Sequence, residues 1–161
     1  MTIAHDIYSE TNPAFCAVAL LAFVDAYSAT KKQGPDMPTA YLALPIALST
    51  DLAPSFAGTN KKTGLQMWLQ RSPEVQVGLA ARVNGTLDIV TQAIRFSAFS
   101  QVAVVNQNGR LVAGPHKVKA SAVKALSDGP AQAIKRAERL GYWFADAGST
   151  RTVFDIMGLT V

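Results

Sequence analysis

TLDIVTQAIRFSAFS at residues 86–100, running into QVAVVNQNGRLV at residues 101–112, decides how this chain folds. At 100° per residue, Leu87, Ile89, Val90, Ala93, Ile94 and Phe96 fall on one wide arc, while Asp88, Thr91, Gln92 and Arg95 form a narrow polar stripe. That is the pattern of an amphipathic helix from Thr86 to about Ser100. The character then changes to a β-branched run, Val102 to Val105. Asn106-Gln107-Asn108-Gly109 supplies an Asn-Gly turn and Arg110-Leu111-Val112 a return strand, so a β-hairpin follows the helix directly. Helix, helix, hairpin is the order of a winged-helix-like core. The expected class is therefore mainly α (α+β): a helical domain with that core and one β-hairpin near residues 102–112.

Helical signals flank this centre on both sides. Asn12-Pro13 can cap and open a helix to about Ser28, apolar nearly all round and hence central. Pro38 to Ser49 reads as a shorter helix that Pro45 should kink or end. Asp51 to Asn60 reads as a loop, Thr63 to Gln70 as a helix, and Pro73 to Val83 as another, broken at Asn84-Gly85. A short helix is expected near Lys119 to Leu126. Pro130 should open a strong helix to about Ala147, with Ile134, Ala137, Leu140, Gly141 and Phe144 inward and Lys135, Arg139, Tyr142 and Asp146 outward. Gly148 stops it and Ser149 caps a last short helix. The 161 residues suit one domain, 1–161, with flexible segments at 30–37 and 113–129.

A hydrophobic content of 49% with 16% charged residues excludes an intrinsically disordered chain. Charge below the ~25% common in free-standing domains points to a surface partly covered by a partner. Two histidines and one cysteine exclude a disulfide within the chain and argue against zinc. Asp6, Glu10, Asp25, Asp36 and Asp51 outnumber Lys31 and Lys32 in the first sixty residues, so the excess of cations lies in the remainder. The start lacks the basic-then-apolar order of a signal peptide, and the apolar run Ala14 to Val24 is shorter than the ~20 residues of a membrane span. A cytoplasmic chain without a membrane contact is expected.

Residues able to carry chemistry are few. Gly58-Thr59-Asn60-Lys61-Lys62-Thr63-Gly64 superficially resembles a phosphate-binding loop, but its second glycine does not directly precede Lys and Ser/Thr. Cys16 falls on an apolar helix, where its thiol stays neutral, and neither His5 nor His116 is placed beside it. The acids form no catalytic pair. No catalytic residue, cofactor or metal is expected. For nucleic acid, the second helix of the core offers Thr91, Gln92 and Arg95 and the wing Arg110, followed by Lys117 and Lys119, which suits a non-specific backbone contact. Trp68 and Trp143 read first as core anchors, the commoner place for tryptophan. Each nevertheless precedes a residue better placed for the buried face (Leu69 and Phe144), which leaves both indoles near a boundary as candidate interface anchors, with Tyr142 and Arg139 as further candidates.

Four segments together resemble a known family. They are Asn12-Pro13-Ala14-Phe15; Leu42-Ala43-Leu44-Pro45; Trp68-Leu69 with Pro73-Glu74-Val75 and Gly78-Leu79-Ala80; and Arg139-Leu140-Gly141-Tyr142-Trp143-Phe144-Ala145 through Thr152-Val153-Phe154 to Met157-Gly158-Leu159. In this order they look like the small middle component of bacterial three-component ABC-ATPase systems. The resemblance implies a non-catalytic adaptor between an effector, often a nuclease, and an ABC ATPase of the SMC (chromosome-maintenance) or double-strand-break-repair type, in defence against phages and plasmids. The alternative from another class is a free-standing winged-helix DNA-binding regulator.

Overall fold

The computed structural model describes residues 12–160; His5 and the other calls on residues 1–11 lie outside them. Asn12 opens the first helix as expected, its Oδ1 accepting the Ala14 and Phe15 N–H groups at 2.8 and 3.4 Å. This helix, α1, spans Pro13–Lys31 and ends on Lys32 in the left-handed conformation. It buries Cys16, Leu20, Phe23 and Val24 completely, together with Ala17, Ala19 and Ala26, and so forms the axis of the core. By length and hydropathy α1 passes as a membrane span; part of its apolar surface packs inside the protein, while Phe15, Val18 and Leu21 are half-buried.

The helices α2 (Met37–Ala47), α3 (Leu65–Arg71), α4 (Leu79–Gly85) and α5 (Leu87–Ser100) follow, with a 3-10 turn at Ala53–Phe56. Strands β1 (Ala103–Val105) and β2 (Leu111–Ala113) come next, then α6 (Ala120–Lys124), α7 (Asp128–Ala147) and α8 (Thr150–Met157). The fold is mainly α with one antiparallel hairpin, pairing Ala103 with Ala113, Val104 with Val112 and Val105 with Leu111. Its turn is held by Asn106 Oδ1, which accepts the N–H groups of Asn108 and Arg110 at 2.9 and 3.0 Å.

Several element boundaries differ from the sequence reading; α7, for one, opens at Asp128 rather than Pro130. Pro45 does not end α2 at once; it sits in the last turn, and the helix stops two residues later at Ala47. The single helix expected over Pro73 to Val83 is two pieces. A 3-10 turn covers Pro73–Gln76, then Gly78 at φ +67° reverses the chain before α4, a conformation that glycine adopts without steric cost. The break expected at Asn84-Gly85 falls instead at Thr86.

Within 30–37, Gly34 and Pro35 are buried. The Pro35 carbonyl accepts the Leu111 N–H at 2.9 Å, and Asp36 forms a lone β-bridge with Arg110. The Asp36 carboxylate also pairs with Arg110 Nη1 at 3.4 Å and accepts the Thr150 hydroxyl. One residue thus joins the hairpin, the start of α2 and the last helix.

Helix α7 lies along α1. Ala137, Leu140, Gly141 and Phe144 face inward as expected, while Ile134 is only half-buried; Ala133, Arg136, Trp143 and Ala145 are buried too, so the inner face is wider than the sequence reading. Arg136 is a buried cation. Its Nε donates to the Ala47 carbonyl at 2.8 Å, at the end of α2 where carbonyls lack helical partners and the helix dipole favours positive charge. Arg136→Met keeps the length and apolar stem but removes this donor. A loss of about 1.5–3 kcal/mol is expected in urea unfolding; an unchanged midpoint would remove Arg136 from the stabilising contacts.

Candidate partner interface

Helix α5 presents the most unusual surface. Val90, Ala93, Ile94 and Ser97 are its buried face. Centred almost opposite are Asp88, Gln92, Arg95, Phe96 and Phe99, all exposed. The broad inward arc of the sequence reading is therefore narrower: Phe96, expected inside, is 40% exposed, and Leu87 is 43% exposed. Phe99 is 89% exposed. The reason is that α5 packs on α1 and α2 through one stripe only, leaving its far side to solvent. Phe99 was legible in principle, since it lies one helical repeat from Gln92 on the polar stripe. An aromatic residue that exposed on a helix face, next to a second one, is a signature of an interaction surface.

The nucleic-acid candidates are scattered across different elements. Arg95 lies free on the outer face of α5. Thr91 is half-buried and shares a 2.7 Å hydrogen bond with the Tyr41 hydroxyl, so it serves α2 packing. Arg110 is engaged within the protein, donating to the Gly34 carbonyl at 3.1 Å besides pairing with Asp36. Lys117 and Lys119 are exposed ahead of α6. Lys117 lines a cleft with Asp25 and His116. Partial burial raises the Asp25 carboxyl above its ordinary range, and the Lys117 charge offsets part of that rise.

Trp68 and Trp143 are not at the boundary. Both are fully buried, which agrees with the core-anchor reading and corrects the placement of their indoles near a boundary. The physical reason is the loop at 53–64, which folds over them. Phe56 stacks on Trp143 with centroids 5.7 Å apart and planes 5° from parallel, and Trp68 packs against both rings. Each indole N–H finds a loop acceptor: Trp68 Nε1 donates to the Ser55 carbonyl at 3.2 Å, and Trp143 Nε1 to the Asn60 carbonyl at 2.9 Å. Arg139 and Tyr142 are half-buried at the same place. Arg139 Nη1 donates to Thr59 Oγ1 at 3.0 Å, and Lys61 Nζ stands 5.7 Å from the Tyr142 ring centroid. These four candidates thus share one locus, two inside it and two on its rim.

No three His, Cys, Asp or Glu side chains gather as a metal site among the described residues. Cys16 is fully buried, and His116 Nδ1 is bonded to the Ser100 carbonyl at 3.0 Å. Compared with protein families, the chain matches the ABC-three component (ABC-3C) system Middle Component 3 family over residues 2–161. The chain belongs to that family. Comparison with curated proteins and with solved structures finds no match. As an ABC-3C middle component the chain is one member of a multi-subunit system, and an exposed aromatic helix face suits such a member.

Proposed function

We propose that this middle component is a non-catalytic adaptor that couples an SMC-type or double-strand-break-repair-type ABC ATPase to an effector, such as a nuclease, in cytoplasmic defence against phages and plasmids. The single observation that carries the reading is the outer face of α5, where Phe96 and Phe99 stand exposed beside Gln92 and Arg95. This face docks the ATPase. The winged-helix-like core belongs to the same reading: α1, the bridging Asp36, α2, α5 and the hairpin follow in that order, with α3 and α4 inserted. In a winged helix the equivalent of α5 enters the DNA groove, but two phenylalanines on its outer face favour a protein partner instead.

The test is co-expression with the ATPase and effector of the same system, followed by affinity purification. The wild-type chain is expected to elute in a stoichiometric complex. Phe96→Ser with Phe99→Glu is expected to cut recovery of the ATPase at least about tenfold while leaving the far-UV CD spectrum and unfolding midpoint unchanged. Undiminished recovery would move the docking face elsewhere. A wild-type chain that elutes alone as a homodimer and binds a palindromic duplex would replace the adaptor with a DNA-binding regulator.

A further inference from the structure

The stretch Gly58 to Gly64 runs from a 3-10 turn into α3, without the strand that a phosphate-binding loop of the familiar strand-to-helix kind requires. It builds a different concavity. Asn60 and Lys61 face Lys135, Glu138, Arg139 and Tyr142 of α7 across a pocket of about 370 Å³. The loop side of this pocket is pinned. Besides the bonds from Trp143 and Arg139, Asn60 Oδ1 accepts the Lys62 N–H at 2.8 Å and Thr63 Oγ1 accepts the Asn60 N–H at 2.9 Å. Three cations, Lys61, Lys135 and Arg139, therefore meet a single carboxylate, Glu138. None of the three forms an ion pair, the Arg110–Asp36 pair being the one found among the described residues. Arg139 uses only Nη1 in the fold, which leaves Nε and Nη2 as donors toward the pocket region. Three cations against one carboxylate leave the lining of this pocket net positive, in a chain only 16% charged.

We propose that this pocket binds a phosphate group, carried by a nucleotide or by a nucleic-acid strand. A tetrahedral dianion has enough acceptor oxygens to take two lysine ammoniums and the free side of a guanidinium together, whereas a carboxylate is satisfied by the guanidinium alone. Glu138 offers an acceptor on the same rim, placed to receive a sugar hydroxyl next to the phosphate. The proposal stands apart from the adaptor reading, which rests on α5.

The test is a titration of the isotope-labelled full chain, followed by NMR, with three probes: inorganic phosphate, metal-free ATP and a short single-stranded deoxyoligonucleotide. Saturable shifts are expected at residues 60–62 and 135–142 with at least one probe. Lys61→Ala with Lys135→Ala should weaken that binding about tenfold or more. Neither side chain is hydrogen-bonded in the fold, so this variant should keep its structure, which its spectrum reports directly. Response to ATP but not to the oligonucleotide assigns the phosphate to a nucleotide, and the converse assigns it to a strand. Absence of saturable shifts with all three probes would overturn the proposal, as would equal binding by the double variant. So would saturation of the same residues by a glutamate-rich peptide and by none of the phosphates, which would make the pocket a contact for an acidic protein.

Discussion

Gly141→Ala is expected to destabilise the protein by about 2 kcal/mol, and Gly141→Leu to prevent folding. Gly141 sits where α7 crosses α1. A methyl group added there would lie 2.5 Å from the Phe23 carbonyl oxygen, 2.8 Å from Ala26 Cβ and 3.1 Å from the Tyr27 nitrogen. The first and last of these are backbone atoms of a buried helix and cannot turn aside, so the two helices must separate. Overpacking of this kind costs about 1–3 kcal/mol or more, partly offset by the ~1 kcal/mol that alanine gains over glycine inside a helix. In a chain of this size 2 kcal/mol corresponds to a fall in Tm of about 4–8 °C. Gly129 is the control. It lies in the same helix with nothing near its would-be Cβ, so Gly129→Ala should stabilise by about 0.5–1 kcal/mol. Thermal unfolding of the two variants decides the matter: equal effects of the same sign would show that the helix crossing is not tight.

Trp143→Ala carries the other large expectation, a loss of about 3–5 kcal/mol together with release of the 53–64 loop. The side chain is completely buried, stacks on Phe56, touches Trp68 and holds Asn60 through its N–H. Trp143→Phe keeps a ring for Phe56 but removes the indole donor, leaving the Asn60 carbonyl with the Thr63 N–H alone at 3.1 Å. An intermediate loss, about 1–3 kcal/mol, should follow. Denaturant unfolding separates the two contributions, and the near-UV CD spectrum reports whether the aromatic cluster survives. If Trp143→Ala kept full stability and lost only its partner, the indole would be an interface anchor after all.

The same residue shows where reading the chain by periodicity stops. That Trp143 precedes Phe144 on an amphipathic helix says which of the two points more directly at α1. It does not say that a loop from eighty residues earlier closes over the other one. Arg136 escaped for a similar reason, because a cation on a helix reads as solvated until the end of α2 is known to lie against it. At α5 the error ran the other way. Periodicity places Leu87 and Phe96 inward, but α1 and α2 cover only one stripe, and both stay outside with Phe99. The phosphate pocket joins a loop set aside on motif grounds to a helix face that periodicity marked only as polar.

Several signals whose physics is local, by contrast, hold in the structure. The Asn12 cap, the Asn-Gly turn at 108–109, the Ser149 cap and the apolar run of α1 all depend on atoms within a few residues of one another. Composition and these signals together are enough to specify a mainly helical chain with one hairpin and α1 at its centre. Which polar groups are buried, which aromatics are left exposed and which cations converge depend on distant segments meeting at α1, α7 and the 53–64 loop. Side-chain burial is set by the neighbour across the gap, and that neighbour is chosen only when the chain packs.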